Sequence, residues 1–382
     1  AIENSGYDAV LTAGADNVQY LCGAQLPFLP TRYDQRLVVL WPRSGVPLCI
    51  CPLEWESTIR HLSWIERIHT YSPTGDDPQG AITAVARAAE TVVGAAAKIG
   101  IDMDRVPHGF CAALCRALPN ITLLACDDWL RDLRLVKTAG EIELLEDLAY
   151  VTDHAINASL HHVVLAYPRT QLTEAEQIRV HCLERGLLET GYHSVAQVAA
   201  GPAAQKLWPL CPTHGFSYGY SSTARLQAGQ MVRISMRATR DGYWSDATRI
   251  SIMGRPTPEQ QGAYENLVSL RQAMIAHLTP GARCSDLFQA ALETAATRGI
   301  ELISELGVGH GIGVTACEPP YLVADDDTEV ETGMVLVLDP VLLGPNREML
   351  QSKDTVVVTD SGCRIVGWWK DWREPYIPIE II

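Results

Sequence analysis

Basic residues are in short supply. Thirty lysines and arginines against 45 aspartates and glutamates leave a formal charge of −15. A surface of that sign repels phosphate backbones and anionic bilayers unless a local basic cluster overrides it, and the sequence has no such cluster. Neither nucleic acid nor a membrane is therefore an expected partner. Long apolar runs are also missing: Thr91 to Ala97 and Met334 to Leu338 fall well short of the roughly 20 residues that cross a bilayer. The opening Ala1-Ile2-Glu3-Asn4 has no basic stretch leading into an apolar one, so no secretory leader is read there. Zinc-type cysteine spacing is lacking too. The close pairs Cys49/Cys51 and Cys111/Cys115 are not followed by a second pair, and the 11 cysteines read as buried thiols of a cytoplasmic protein.

What is present is length and alternation. At about 150 residues per domain, 382 residues make two to three domains. In the first third, β-branched runs at Asp8–Thr12, Arg36–Leu40, Pro47–Cys51, Ile99–Ile101 and Ile121–Ala125 alternate with helical stretches, among them the alanine-rich Gln79–Ala97. This is an α/β pattern over residues 1–130. Thr138-Ala139-Gly140-Glu141 then forms a capping box ahead of Ile142, Leu145, Leu148 and Ala149 at helical spacing. Thr257-Pro258-Glu259-Gln260 opens another helix with proline at its first position. Valine- and isoleucine-rich strands at Ser194–Ala199, Met231–Met236, Thr248–Ile252, Val335–Leu338 and Thr355–Thr359 interleave with these helices without strict βαβ order. Residues 131–382 are thus expected to form an α+β domain in which helices cover a curved sheet.

Three stretches place polar residues where a packed core would not want them. The first is the hairpin from Gly229 to Arg249, containing Ser235, Asp241-Gly242-Tyr243 and Asp246. The second is Gly307-Val308-Gly309-His310-Gly311-Ile312-Gly313, running on to Cys317-Glu318-Pro319-Pro320. The third is Gly333 to Pro340, with Asp339 at its end, followed by Ser352-Lys353-Asp354 and a valine strand. Together with Leu133-Arg134-Leu135-Val136-Lys137, Glu141-Ile142 and the early Asn17–Gly23, these segments resemble the creatinase, prolidase and Xaa-Pro aminopeptidase family over nearly the whole chain. The resemblance implies a pita-bread C-terminal domain, a smaller α/β N-terminal domain and a homodimer.

In the family's metallopeptidases, two divalent ions are held by two aspartates 11 apart, a histidine in the glycine loop and two glutamates. Carried over residue by residue, the resemblance puts Asp246 at the second aspartate and His310 at the histidine. It puts Ser235 at the bridging aspartate, Asp339 at the first glutamate and Lys353 at the second. Two further histidine positions read as Tyr218 and Cys317. Two divalent ions side by side need about four carboxylate oxygens' worth of negative charge, and a lysine among them is repelled by several kcal/mol even at an effective dielectric near 20. The expectation is a site with no metal ligands and no cofactor, in which Lys353 neutralises Asp246 and Asp339.

Creatinase supplies the family's precedent for hydrolysis without metal. The chain is accordingly expected to be a metal-independent, cytoplasmic hydrolase of a carbon–nitrogen bond in a small molecule. His310 would act as acid/base, Asp246 and Asp339 as charge partners or base, Lys353 as an electrostatic stabiliser and Tyr218 as a proton donor. Ser235, Tyr220, His214 and Glu318 would contact substrate, and Arg32 and Tyr33 would reach in from a loop that family dimers lean over the partner's pocket. Two alternatives stand beside this reading. One is a peptidase with a single ion on His310, Asp246 and Asp339; the other is a retired enzyme that only binds.

Overall fold

The computed structural model describes residues 2–26, 35–72, 80–94, 96–162, 170, 173, 175, 177–178, 180, 193–205, 221, 223–367 and 378–379. It divides into two compact units, Ala1–Arg134 and Leu135–Ile382.

In the first unit, β1 (Ala9–Thr12), β2 (Val38–Pro42), β3 (Leu48–Pro52), β4 (Arg67–Tyr71), β5 (Lys98–Ile101) and β6 (Thr122–Ala125) form one sheet in the order β4-β3-β2-β1-β5-β6. The four central strands, β3, β2, β1 and β5, are buried on both faces. Leu11, Val38, Leu40, Ile50, Ile99 and Ile101 pack against α3 (Gly80–Val93) and α4 (His108–Ala117). Val10, Val39, Cys49 and Cys51 pack against α1 (Ala15–Cys22), α2 (Glu56–Leu62) and α5 (Asp127–Leu135). The alanine-rich helix stops earlier than the sequence suggests because Gly94 turns left-handed at φ 82°. Strand β4 went unread because it is a sheet edge with a mostly exposed, polar face. The expectation of buried thiols holds for Cys22, Cys49, Cys51, Cys126 and Cys284, but Cys115 and Cys317 are exposed.

Asp102, buried at the end of β5, accepts from the backbone N–H groups of Ala13 and Gly14 and from Asn17 Nδ2. Burial lifts its carboxyl to about 6 against the pull of those donors. Between pH ~4 and ~6 the folded chain therefore keeps a proton that the unfolded chain has released, and stability falls by about 3 kcal/mol as pH rises through that window. Urea titrations from pH 4 to 6 are expected to show this slope in the parent chain and a flatter one in Asp102→Asn, whatever the variant's absolute stability.

The second unit opens with α6 (Ala139–His162), started by the expected box: Thr138 N donates to Glu141 Oε2 and Glu141 N to Thr138 Oγ1. Strands β7 (His193–Ala200), β8 (Met231–Arg240) and β9 (Tyr243–Met253) form a sheet whose inner face, Val232, Ile234, Met236 and Ala238, packs on Leu148, Val151, Ala155 and Ile156 of α6. The β8–β9 turn is Asp241-Gly242, both at positive φ, the geometry a two-residue hairpin wants. Two helices follow, α7 (Pro258–His277), capped by Thr257 and Gln260, and α8 (Cys284–Arg298).

A second sheet joins β10 (Gly309–Gly311), β11 (Glu318–Tyr321), β12 (Val335–Leu338), β15 (Asp354–Thr359) and β16 (Gly362–Ile365), ordered β11-β10-β12-β15-β16. β13 (Val341–Leu343) and β14 (Met349–Gln351) pair as a separate hairpin, and β17 (Pro378–Ile379) lies along β9. Alternation decides which helix each side chain of this sheet meets. Leu336, Leu338, Val356 and Val358 face α7 and α8, while Val335, Val337 and Val357 face Leu145 and Ala149 of α6. The architecture is α+β, as the sequence implies.

Candidate active site

The site grows from the register of one hairpin. With the turn at Asp241-Gly242, Arg237 falls opposite Asp246 and Ser235 opposite Thr248, so all four lie on the face turned away from α6. Thr248 Oγ1 donates to Ser235 Oγ at 3.0 Å. A bridge between Thr248 and Lys353 then brings the start of β15 alongside, with Lys353 N donating to Thr248 O at 3.2 Å.

Lys353 is the centre of the arrangement. Its Nζ lies 2.8 Å from Asp246 Oδ2 and 3.2 Å from Asp339 Oδ2. Asp339, just past the end of β12, is held from the other side by Gln351 Nε2, which donates to Oδ1 at 2.7 Å. Asp246 is fully buried, and its Oδ2 also receives Arg237 through Nη2 at 2.7 Å and Nε at 2.9 Å. Burial alone would push the Asp246 carboxyl up, but Arg237 and Lys353 outweigh it and hold the group well below the usual carboxylate range. Arg237 is held above its own ordinary value, its burial being overcome by Asp246.

His310 sits on β10 between glycines for a steric reason. A Cβ at Gly309 would stand 2.4 Å from Val337 O, and one at Gly311 would stand 2.5 Å from Pro319 O. Its Nδ1 lies 2.9 Å from Gly311 O; a carbonyl only accepts, so Nδ1 carries the proton. Burial and then Lys353 push the imidazole below its ordinary value, leaving a neutral ring whose Nε2 lone pair stands 3.8 Å from Asp246 Oδ2. The remaining carboxylate oxygen, Asp246 Oδ1, is buried and has no hydrogen-bond partner among the described residues. The arrangement therefore offers a neutral base, two carboxylates and two fixed cations.

The structure thus brings together Asp246, Asp339, Lys353, His310 and Ser235. Glu318 shares no hydrogen bond or ion pair with them: its Oε1 takes Lys137 Nζ at 3.1 Å and its Oε2 takes Thr315 Oγ1 at 3.1 Å. Tyr218, Tyr220, His214, Arg32 and Tyr33 lie outside the described residues. Arg237 and Gln351 are site residues that sequence reasoning missed. The signal for Arg237 was available, because a two-residue turn at 241–242 fixes 237 opposite 246.

This donor set does not fit a pair of divalent ions. One oxygen of each acid is already taken by side-chain cations, Asp246 Oδ2 by Arg237 and Lys353 and Asp339 Oδ2 by Lys353, and among the described residues no group of three histidine, cysteine, aspartate or glutamate side chains could hold a metal.

Comparison with known proteins fits this architecture. Residues 143–360 match the model of metallopeptidase family M24, and residues 1–136 match the creatinase/prolidase N-terminal domain. A probable dipeptidase PepE of Mycobacterium tuberculosis is 27% identical over 364 residues, 92% of this chain and 88% of the relative. A Xaa-Pro dipeptidase of Pyrococcus furiosus is 26% identical over 238 residues, 62% of this chain and 64% of the relative. Among solved structures, dipeptidase PepE from Mycobacterium ulcerans superposes with a TM-score of 0.78 at 25% identity, covering 99% of this chain and 95% of that one. No helix among the described residues is long and apolar enough to cross a membrane. The chain belongs to metallopeptidase family M24, with the pita-bread fold of the prolidases, and is a hydrolase of the creatinase and Xaa-Pro peptidase type.

Proposed function

We propose that the chain hydrolyses a carbon–nitrogen bond of a small molecule without a metal ion. The observation that carries this reading is Lys353 Nζ, within 3.2 Å of both Asp246 and Asp339. It also weighs against the single-ion peptidase, because the ammonium sits on two of that reading's three ligands. In the reaction, His310 Nε2 takes a proton from the attacking water as oxygen bonds to the substrate carbon. It returns that proton to the nitrogen as the carbon–nitrogen bond breaks. Lys353 offsets the negative charge that develops on the substrate, Asp246 and Asp339 hold Lys353 in place, and Tyr218 serves as a second proton donor. Substrate contact is assigned to Ser235, Tyr220, His214 and Glu318 on the strength of the family resemblance alone. We place this enzyme in the cytoplasm as a homodimer, with Arg32 and Tyr33 leaning over the partner's pocket, on the strength of the family resemblance.

The names of the relatives make dipeptides the first substrates to assay, followed by small amides and guanidino compounds. Metal analysis of the purified protein, with turnover measured before and after dialysis against chelator, tests the reading. The expected result is sub-stoichiometric metal and unchanged turnover. Two equivalents of manganese, cobalt or zinc, with activity that tracks their removal and return, overturn it.

A further inference from the structure

We infer that two side-chain cations stand in for the two metal ions of the family's centre: the Lys353 ammonium at one position and the Arg237 guanidinium at the other. This rests on the metal-independent reading above and adds to it a second cation, Arg237.

Both cations meet on one atom. Asp246 Oδ2 receives Lys353 Nζ at 2.8 Å and Arg237 Nη2 at 2.7 Å, and His310 Nε2 lies 3.8 Å away. Two cations share one buried carboxylate here, as a pair of ions shares a bridging one, except that both take the same oxygen. Lys353 and Arg237 thus place two positive charges on Asp246, and Lys353 is shared with Asp339. Arg237 lies two residues beyond Ser235 on the same strand face, opposite Asp246, so its guanidinium reaches the same carboxylate as Lys353. With Arg237 left in place, replacing Lys353 alone reopens the site only in part.

Cobalt alone is the probe, read by visible absorbance and by metal analysis after gel filtration of the full chain. The parent protein is expected to bind none. Lys353→Glu, which supplies an acid but leaves Arg237 in place, is expected to bind weakly, and adding Arg237→Ser to it is expected to tighten cobalt by about 10- to 100-fold. Equal affinity in the single and double variants, both folded by circular dichroism, overturns the inference about Arg237 while leaving the metal-independent reading standing. Cobalt bound by the parent protein and lost in His310→Ala overturns both. Should the double variant not fold, the parent chain supplies the decision through reductive methylation. Lys353 is expected to stay unmodified while exposed Lys98 reacts, with or without cobalt; modification of Lys353 at the rate of Lys98 overturns the inference.

Discussion

Lys353→Met is expected to lower the unfolding free energy by about 3 kcal/mol and to reduce hydrolysis by about 10²- to 10³-fold. The stability loss comes from the charges left behind. Asp246 has no exposed side-chain surface and would keep Arg237, and Asp339 would keep Gln351, but each would lose the ammonium that now lies between them. Because both carboxylates retain one partner, the cost stays near the lower end of what breaking a buried ion pair entails. Methionine fills much the same volume, so packing contributes little to the difference. The activity loss has a separate origin: the charge that balances a developing oxyanion disappears while His310 keeps its tautomer through Gly311 O. Urea unfolding followed by circular dichroism gives the first quantity and turnover on the best substrate gives the second. A variant as stable as the parent would mean that the ion pair is not held in solution. A stable cluster with undiminished turnover would take Lys353 out of the reaction.

The sequence exposed most of this arrangement because its determinants are local. Alternation in β8, the capping boxes at Thr138 and Thr257 and the turn at Asp241-Gly242 each fix an element or its register within a few residues. The glycines around His310 are equally readable, since only a residue without a Cβ lets β10 approach the Val337 and Pro319 carbonyls. What escaped were contacts between elements far apart in sequence. Glu318 reads as a pocket residue from its place after the glycine loop, yet its partner is Lys137, 181 residues earlier, and nothing local announces that pairing. Gln351 reads as an ordinary strand residue, and only the approach of β14 to the end of β12 shows that it orients Asp339. Arg237 was hidden for a different reason: an arginine in a strand reads as solvent-facing until both faces of the sheet are known to be covered.

Arg249→Met is expected to be the most destabilising single change, at about 4 to 5 kcal/mol, because this guanidinium serves charge and backbone together. Its Nη2 lies 2.6 Å from Asp153 Oδ1 on α6 and 3.4 Å from Asp354 Oδ1 on β15, and Arg271 Nε of α7 meets the other oxygen of Asp354 at 2.8 Å. All four side chains are buried, and among the described residues they make two of each sign. Burial would lower the Arg249 pKa, but Asp153 and Asp354 outweigh it and hold the guanidinium above its ordinary range. At the same time Nη1 donates to Thr248 O at 2.9 Å and to Lys353 O at 2.5 Å, tying β9 to the residue that carries the site's ammonium. Methionine would leave an excess negative charge in the interior and remove the donor from both carbonyls. Adding Asp153→Asn to Arg249→Met should restore part of the loss by removing the surplus charge, without restoring the tie to Lys353. Urea unfolding of the single and double variants separates the two contributions: a double variant that regains stability while turnover stays low locates the remaining deficit in the placement of Lys353, and full recovery of both would confine Arg249 to charge balance.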